Sequence, residues 1–248
     1  MDNDNQRKNE EIKINHPERL SFQVQNIFQS EDFNKLSTDE FENKFRNEFN
    51  FQELRIIKLI HSDILKGCCL TVDQLDYRGN RLSGWTENEI RGNKPYYPPI
   101  GWICFGLKVK GKYENDMWIG NFNTPGEWCV AYHGVGGGRS SDEVKRIIGL
   151  IYKIRFKRGT GQAHSQCSDI YRMGAKVGVG VYISLNPKIA EEYAGISEIN
   201  GKKYKSVLMV RVKPYAIRSC DCPGFSDYCV VNGTNEEIRP YRILFKEC

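Results

Sequence analysis

The stretch 178–194, GVGVYISLNPKIAEEYA, constrains the fold more than any other part of the chain, because it sets a strand, a turn and a helix in immediate succession. Asn186 is a good helix cap and Pro187 is favoured at the first helical position, so a helix is predicted to start there and run through Lys188-Ile-Ala-Glu-Glu. The strand then carries Tyr182 and the helix carries Tyr193. Glycines at 178 and 180 remove side chains beside Tyr182, which predicts that a flat ligand can approach the backbone closely. The two tyrosines read as the halves of an aromatic clamp.

The rest of the chain falls into three parts. Residues 1–35 are polar and irregular, and are expected to be mobile. Residues 36–95 form a helical accessory segment. It opens on a capping box, Ser37-Thr-Asp-Glu40, and Phe41, Phe45 and Phe49 recur on one helical face. Leu54, Ile57, Leu59, Ile60 and Ile64 continue at helical spacing, and residues 70–100 then become rich in Gly, Asn and Pro, as an extended connection would be.

From residue 96 to 248 strands dominate. Short β-type runs are predicted at 102–109 and 116–120, and a buried strand at 128–134 ends on His133 and Gly134. Ser140 or Ser141 caps a helix whose apolar positions are Val144, Ile147, Ile148 and Ile151. Residues 155–172 show no period and read as one long loop, of a length that is usually functional or disordered. Strands are predicted again at 205–212, 228–231 and 242–246. The whole describes an α+β fold.

Composition narrows the function classes. No apolar run approaches the roughly 20 residues that cross a bilayer, and the first residues are polar, so a cytoplasmic or nuclear protein is expected. The nine cysteines are odd in number and include no CxxC pair, as reduced thiols would be. His164, Cys167, Cys220, Cys222 and Cys229 fit no usual zinc spacing, and no metal is expected. A net charge of +5, spread along the chain, suits an anionic small molecule or an acidic surface and does not call for nucleic acid. The glycines at 136–138 lack a Walker ending and read as a flexible loop.

In order, the chain carries Tyr-His-Gly at one strand end, Gly-Val-Gly-Val-Tyr at another, a tyrosine 11 residues later, Asp-Tyr-Cys-Val-Val-Asn, and Ile-Arg-Pro-Tyr-Arg-Ile-Leu. With these motifs the sequence over 128–246 resembles the diphtheria-toxin-like ADP-ribosyltransferases, in particular the catalytic domain of poly(ADP-ribose) polymerases and their mono-transferring relatives. The cholera-toxin-like branch fits less well, since the Glu-x-Glu at 87–89 lies upstream of the His-Gly strand.

The resemblance implies a split β-sheet core with an NAD cleft, an N-terminal helical segment packed on or near it, and 96–248 as the catalytic domain. It implies that His133 hydrogen-bonds a ribose of NAD, that the Gly134 backbone holds the nicotinamide carboxamide, that Tyr182 is the triad tyrosine, and that Tyr193 stacks on nicotinamide. Two tyrosine faces attract a cationic ring electrostatically as well as by burial. The loop 155–172, with Arg155, Arg158 and Gln162, falls where the family carries its donor loop beside adenosine and pyrophosphate. Asp227 stands where the polymerising enzymes have the catalytic glutamate, whose carboxylate stabilises an oxocarbenium-like state. Ala190 stands where the family usually has a serine that bonds the nicotinamide amide.

Aspartate is one methylene shorter than glutamate, and displacing a catalytic group by about 1 Å costs on the order of a hundredfold in rate. The implied activity is therefore NAD-dependent mono-ADP-ribosyl transfer to a protein side chain, with NAD as co-substrate and an unidentified protein acceptor. Loss of chemistry, leaving an NAD- or ADP-ribose-binding module, and NAD glycohydrolysis are the alternatives. Glu236 and Glu237 on the following turn rank below Asp227 as the carboxylate.

Overall fold

The computed structural model describes residues 67–71, 74–76, 89–156, 170–172, 175–177, 180–199, 201–219 and 229–248. The phenylalanine-rich helices predicted before residue 67, Arg158, Gln162 and Asp227 lie outside them.

The fold is mixed α+β and rich in sheet. Its spine is a pair of long antiparallel strands, β9 (Lys202–Val212) and β12 (Ile238–Glu247). Val207, Leu208, Val210 and Val212 are all fully buried, so both faces of β9 are covered; the near-continuous apolar run follows from that. Strand β3 (Ile103–Gly106) lines the outer edge of β12, while β4 (Cys129–Gly134) and β8 (Ile196–Ile199) pair with the other edge of β9 in two successive stretches. A second, three-stranded sheet runs in the order β10 (Arg218–Ser219), β11 (Cys229–Val231), β7 (Val181–Ile183).

Two helices flank these sheets. Helix α1 (Ser141–Lys153) packs on β8 and β12, and helix α2 (Pro187–Glu192) on β4 and β9. The α1 start is a full capping box: Ser140 Oγ accepts from the Glu143 amide, and the Glu143 carboxylate accepts from the Ser140 amide. Helix α2 begins as the sequence predicts, with Asn186 as its cap and Pro187 in its first turn. None of the helices among the described residues is long and apolar enough to cross a membrane.

Several local expectations change. The apolar run at 116–120 is not a strand: Met117–Ile119 is a 3-10 turn. Asn115 and Asp116 side chains accept from the Met117 and Gly111 amides, and such local bonds favour a turn over a ladder. The turn drives Trp118 inward, edge-on to Tyr113. Over that cluster lies Arg239, 1% exposed, with its guanidinium carbon 4.1 Å from the Tyr113 ring centre and 4.4 Å from that of Trp128. Glu114 accepts from Arg239 Nη2 through both carboxylate oxygens, at 2.8 and 2.9 Å.

The extended connection predicted before residue 100 contains a hairpin, β1 (Glu89–Arg91) and β2 (Lys94–Tyr96). Gly92 and Asn93 both have positive φ, which is the two-residue turn that suits strand twist. The long loop predicted at 155–172 ends earlier, because β5 (Ile170–Arg172) pairs with β6 (Ala175–Val177).

Candidate functional site

Strands β4 and β7 belong to different sheets, and one backbone bridge joins Tyr132 of β4 to Ser184, the residue just past β7. The Tyr132 amide donates to the Ser184 carbonyl at 2.8 Å, and the Ser184 amide returns a bond to the Tyr132 carbonyl at 3.0 Å. Two residues further along β4 lies Gly134. In an antiparallel ladder, backbone polar groups point alternately to either side of a strand. The Val135 amide points to β9, where it donates to the Ser206 carbonyl. Tyr132 points to β7. Gly134 therefore turns its N–H and C=O away from β9, toward the side on which β7 lies.

His133, between them, ties the two strands together. Its Nδ1 lies 2.8 Å from the Tyr182 carbonyl oxygen. A carbonyl can only accept, so Nδ1 carries the proton and the neutral ring keeps its lone pair on Nε2. Burial lowers the His133 pKa below its usual 6.5, although the hydrogen bond to the Tyr182 carbonyl works the other way. The ring is neutral at pH 7, and Nε2 is an acceptor for a hydroxyl. Phe156, buried just past the end of α1, meets His133 edge-on at 5.2 Å and restrains its orientation.

Gly134 faces α2. A Cβ on it would overlap the carbonyl oxygen of Ala190 and come within 2.9 Å of Tyr193 Cβ, so a side chain at 134 would push the helix off the strand. Tyr193 closes α2 as its C-cap, its amide donating to the Ala190 carbonyl at 3.2 Å. The helix thus delivers Tyr193 directly beside Gly134. Adjacent strand residues face opposite ways, so His133 and Tyr193 flank the end of β4 from opposite faces.

The helix is fastened by charge. Glu191 accepts from Lys246 on β12 at 2.9 Å and from Lys205 on β9 at 3.4 Å. Burial alone would raise the Glu191 pKa, but the hydrogen bond and charge of Lys246, helped by Lys205, hold it below the ordinary carboxylate value.

The structure thus brings His133, Gly134, Tyr182, Ala190 and Tyr193 to one place. Tyr182 is half-buried and opposite Val230 of β11. Ala190 is buried and presents a methyl group, with no hydroxyl to offer. Arg155 is exposed immediately before Phe156. Asp227 precedes β11 by two positions, outside the described residues, as are Arg158 and Gln162.

Of the lower-ranked carboxylates, Glu237 is committed to the turn before β12, where it accepts from the Asn232 amide at 2.8 Å and from Asn232 Nδ2 at 2.9 Å. Asn232 in turn accepts from Arg218 Nη1 at 2.9 Å. Glu236 is exposed. At Gly180 the space predicted beside Tyr182 is used differently: a Cβ there would overlap the carbonyl of Val231, so that glycine admits a neighbouring strand, while Gly178 lies outside the described residues.

Sequence reading missed Ser184, Phe156 and Glu191. Phe156 had a signal, an apolar residue directly after an amphipathic helix. The partner of Ser184 is Tyr132, and those of Glu191 are Lys205 and Lys246 on other strands; none of these pairings leaves a local trace. No family model matches the chain, and no curated protein does.

Proposed function

We propose that this protein is an NAD-dependent mono-ADP-ribosyltransferase that moves ADP-ribose from NAD to a protein side chain and releases nicotinamide. The observation that carries the reading is the His133–Gly134 pair at the end of β4. It offers a neutral imidazole with its lone pair on Nε2, next to a backbone N–H and C=O turned toward the β7 side, with Tyr193 at hand. A carboxamide has one donor group and one acceptor, which a single peptide N–H and C=O can match. A ribose hydroxyl can donate to Nε2. A cationic pyridinium ring gains from an aromatic face.

In the reaction the bond between ribose C1′ and the nicotinamide nitrogen breaks, and its electron pair leaves with nicotinamide, neutralising the ring. The acceptor oxygen or nitrogen forms the new bond to C1′, and its proton, where it carries one, goes to a nearby carboxylate or to water. Asp227 is the carboxylate we assign to this step, on the sequence motif alone. An α+β fold whose five-stranded and three-stranded sheets are joined by the Tyr132–Ser184 bridge supports this reading.

Incubation of the purified chain with biotin-labelled NAD, alone and in cell extract, beside His133→Ala, tests the proposal. Label on discrete protein bands that vanishes in the variant supports transfer. Free nicotinamide without protein label replaces transfer with glycohydrolysis, and NAD binding with neither product leaves a binding module.

A further inference from the structure

The proposed reaction makes no use of the open cleft of about 560 Å³ that lies at the other end of α2. Its walls come from the β1–β2 hairpin, the chain just after it and the first turn of the helix. The lining is mainly apolar and aromatic: Ile90, Tyr96, Tyr97, Ile100 and Pro187. Ile90, Tyr97 and Ile100 are 55%, 49% and 63% exposed, a concentration of large apolar groups in water that isolated surface residues do not produce.

The polar groups at this cleft are unequal. Glu89 is already paired with Arg91. Lys188 is exposed, and among the described residues no carboxylate lies within ion-pair distance of it. The cleft therefore offers an apolar floor and, among the described residues, one positive charge in its lining without a carboxylate partner. A second tie runs to the candidate site: the hydroxyl of Tyr132, next to His133, donates to the carbonyl of Tyr97 in the cleft wall.

Distance favours a chain-like occupant. The six residues of α2 lie between Asn186 and Tyr193, a rise of about 10 Å from cap to cap. An extended peptide covers that length in about three residues. A segment whose apolar side chain fills the cleft would carry its neighbours along α2 toward the Tyr193 end.

We propose that the cleft is the docking site for a protein segment in which an aromatic or large aliphatic residue is flanked by aspartate or glutamate, and that this segment presents the acceptor side chain. The docking half stands by itself. The acceptor half rests on the proposed transferase activity.

The test uses the full chain and a fluorescein-labelled peptide of one tryptophan flanked on both sides by two glutamates, against the same peptide with lysines. The acidic peptide is expected to bind at least tenfold more tightly. Ile100→Asp and Lys188→Glu are each expected to weaken it fivefold or more, while leaving NAD cleavage unchanged. Equal affinity for the two peptides, no binding, or indifference to both substitutions overturns the proposal. A benzoylphenylalanine photo-crosslinker at position 97 separates the occupants: an adduct with the peptide supports docking, whereas an adduct within the chain or to a second copy overturns it. Labelled NAD tells the two halves apart. Self-labelling without peptide binding rejects the cleft, and peptide binding without nicotinamide release rejects the transferase reading.

Discussion

The Nδ1 of His133 lies 2.8 Å from the carbonyl oxygen of Tyr182, so one histidine hydrogen bond joins the end of β4 to the tyrosine of β7. This bond fixes the tautomer and couples the acid–base state of the ring to the contact between the two strands.

A depressed histidine pKa makes a signed prediction. The folded ring titrates below 6.5, the unfolded ring near 6.5, so the unfolded chain binds more protons in between. The stability that His133 contributes is present above 6.5 and is lost as pH falls through the interval down to the folded pKa. Nitrogen-15 NMR should show Nδ1 protonated and Nε2 bare at pH 7, with titration below 6.5. NAD binding should decline over the same acidic interval. A histidine that titrates at or above 6.5 would contradict the burial argument.

Gly134→Ala is expected to be among the most damaging small changes. The new methyl group meets backbone at Ala190 and cannot be relieved by turning a side chain. Overpacking of this kind costs about 1–3 kcal/mol. Urea unfolding should show that loss, and NAD affinity should fall at least tenfold because α2 carries Tyr193 away from the strand.

Glu191→Gln should loosen the same helix without overfilling anything. The carboxylate is 20% exposed and its lysines 33% and 39%, so the loss is about 0.5–1 kcal/mol after solvent screening. The folded carboxyl titrates below the usual 4.5, so its contribution is intact above that pH and disappears as pH falls through the folded value. In the glutamine variant this acid dependence should shrink, and so should the response to salt, both measurable by thermal melts.

Tyr193→Ala removes one aromatic face beside Gly134. Stacking contributes about 0.5–1.5 kcal/mol beyond area, so calorimetry should register NAD binding weakened roughly two- to tenfold. Unchanged affinity would remove Tyr193 from the site.

Arg239→Lys tests the aromatic cluster. An ammonium cannot lie flat between Tyr113 and Trp128 while bonding both oxygens of Glu114. A loss of about 1–3 kcal/mol in denaturant unfolding is expected, from cation–π contact and packing together. Fluorescence of Trp118 and Trp128 should respond as well.

What the sequence made legible was what short range determines. Ser140 with Glu143, and Asn186 with Pro187, announce two helix starts because capping needs only neighbours three or four positions away. The burial of β4 was readable from its apolar run, as was the strand character of β9 and of the later part of β12. The hairpin at Gly92 and Asn93 had its signal, a turn dipeptide needing two positive φ values, but it was submerged in a stretch where glycine, asparagine and proline all suggest loop. Met117–Ile119 misled because an apolar triplet looks the same whether it enters a ladder or folds a single tryptophan inward. At the candidate site, motif order assembled His133, Gly134, Tyr182 and Tyr193. The order held no hint that Glu191 reaches across to Lys246, or that Gly180 makes room for Val231.

The bridge between Tyr132 and Ser184 has one more consequence. Among the described residues it is the backbone pairing that links the five-stranded and three-stranded sheets, two hydrogen bonds wide. It is the spine of a book whose leaves are the two sheets, and anything held between the pages would brace both. The exchange rates of just two amide protons, at positions 132 and 184, then become a gauge of how often the book opens. A ligand lodged between the leaves would slow both protons together, whatever chemistry it went on to undergo.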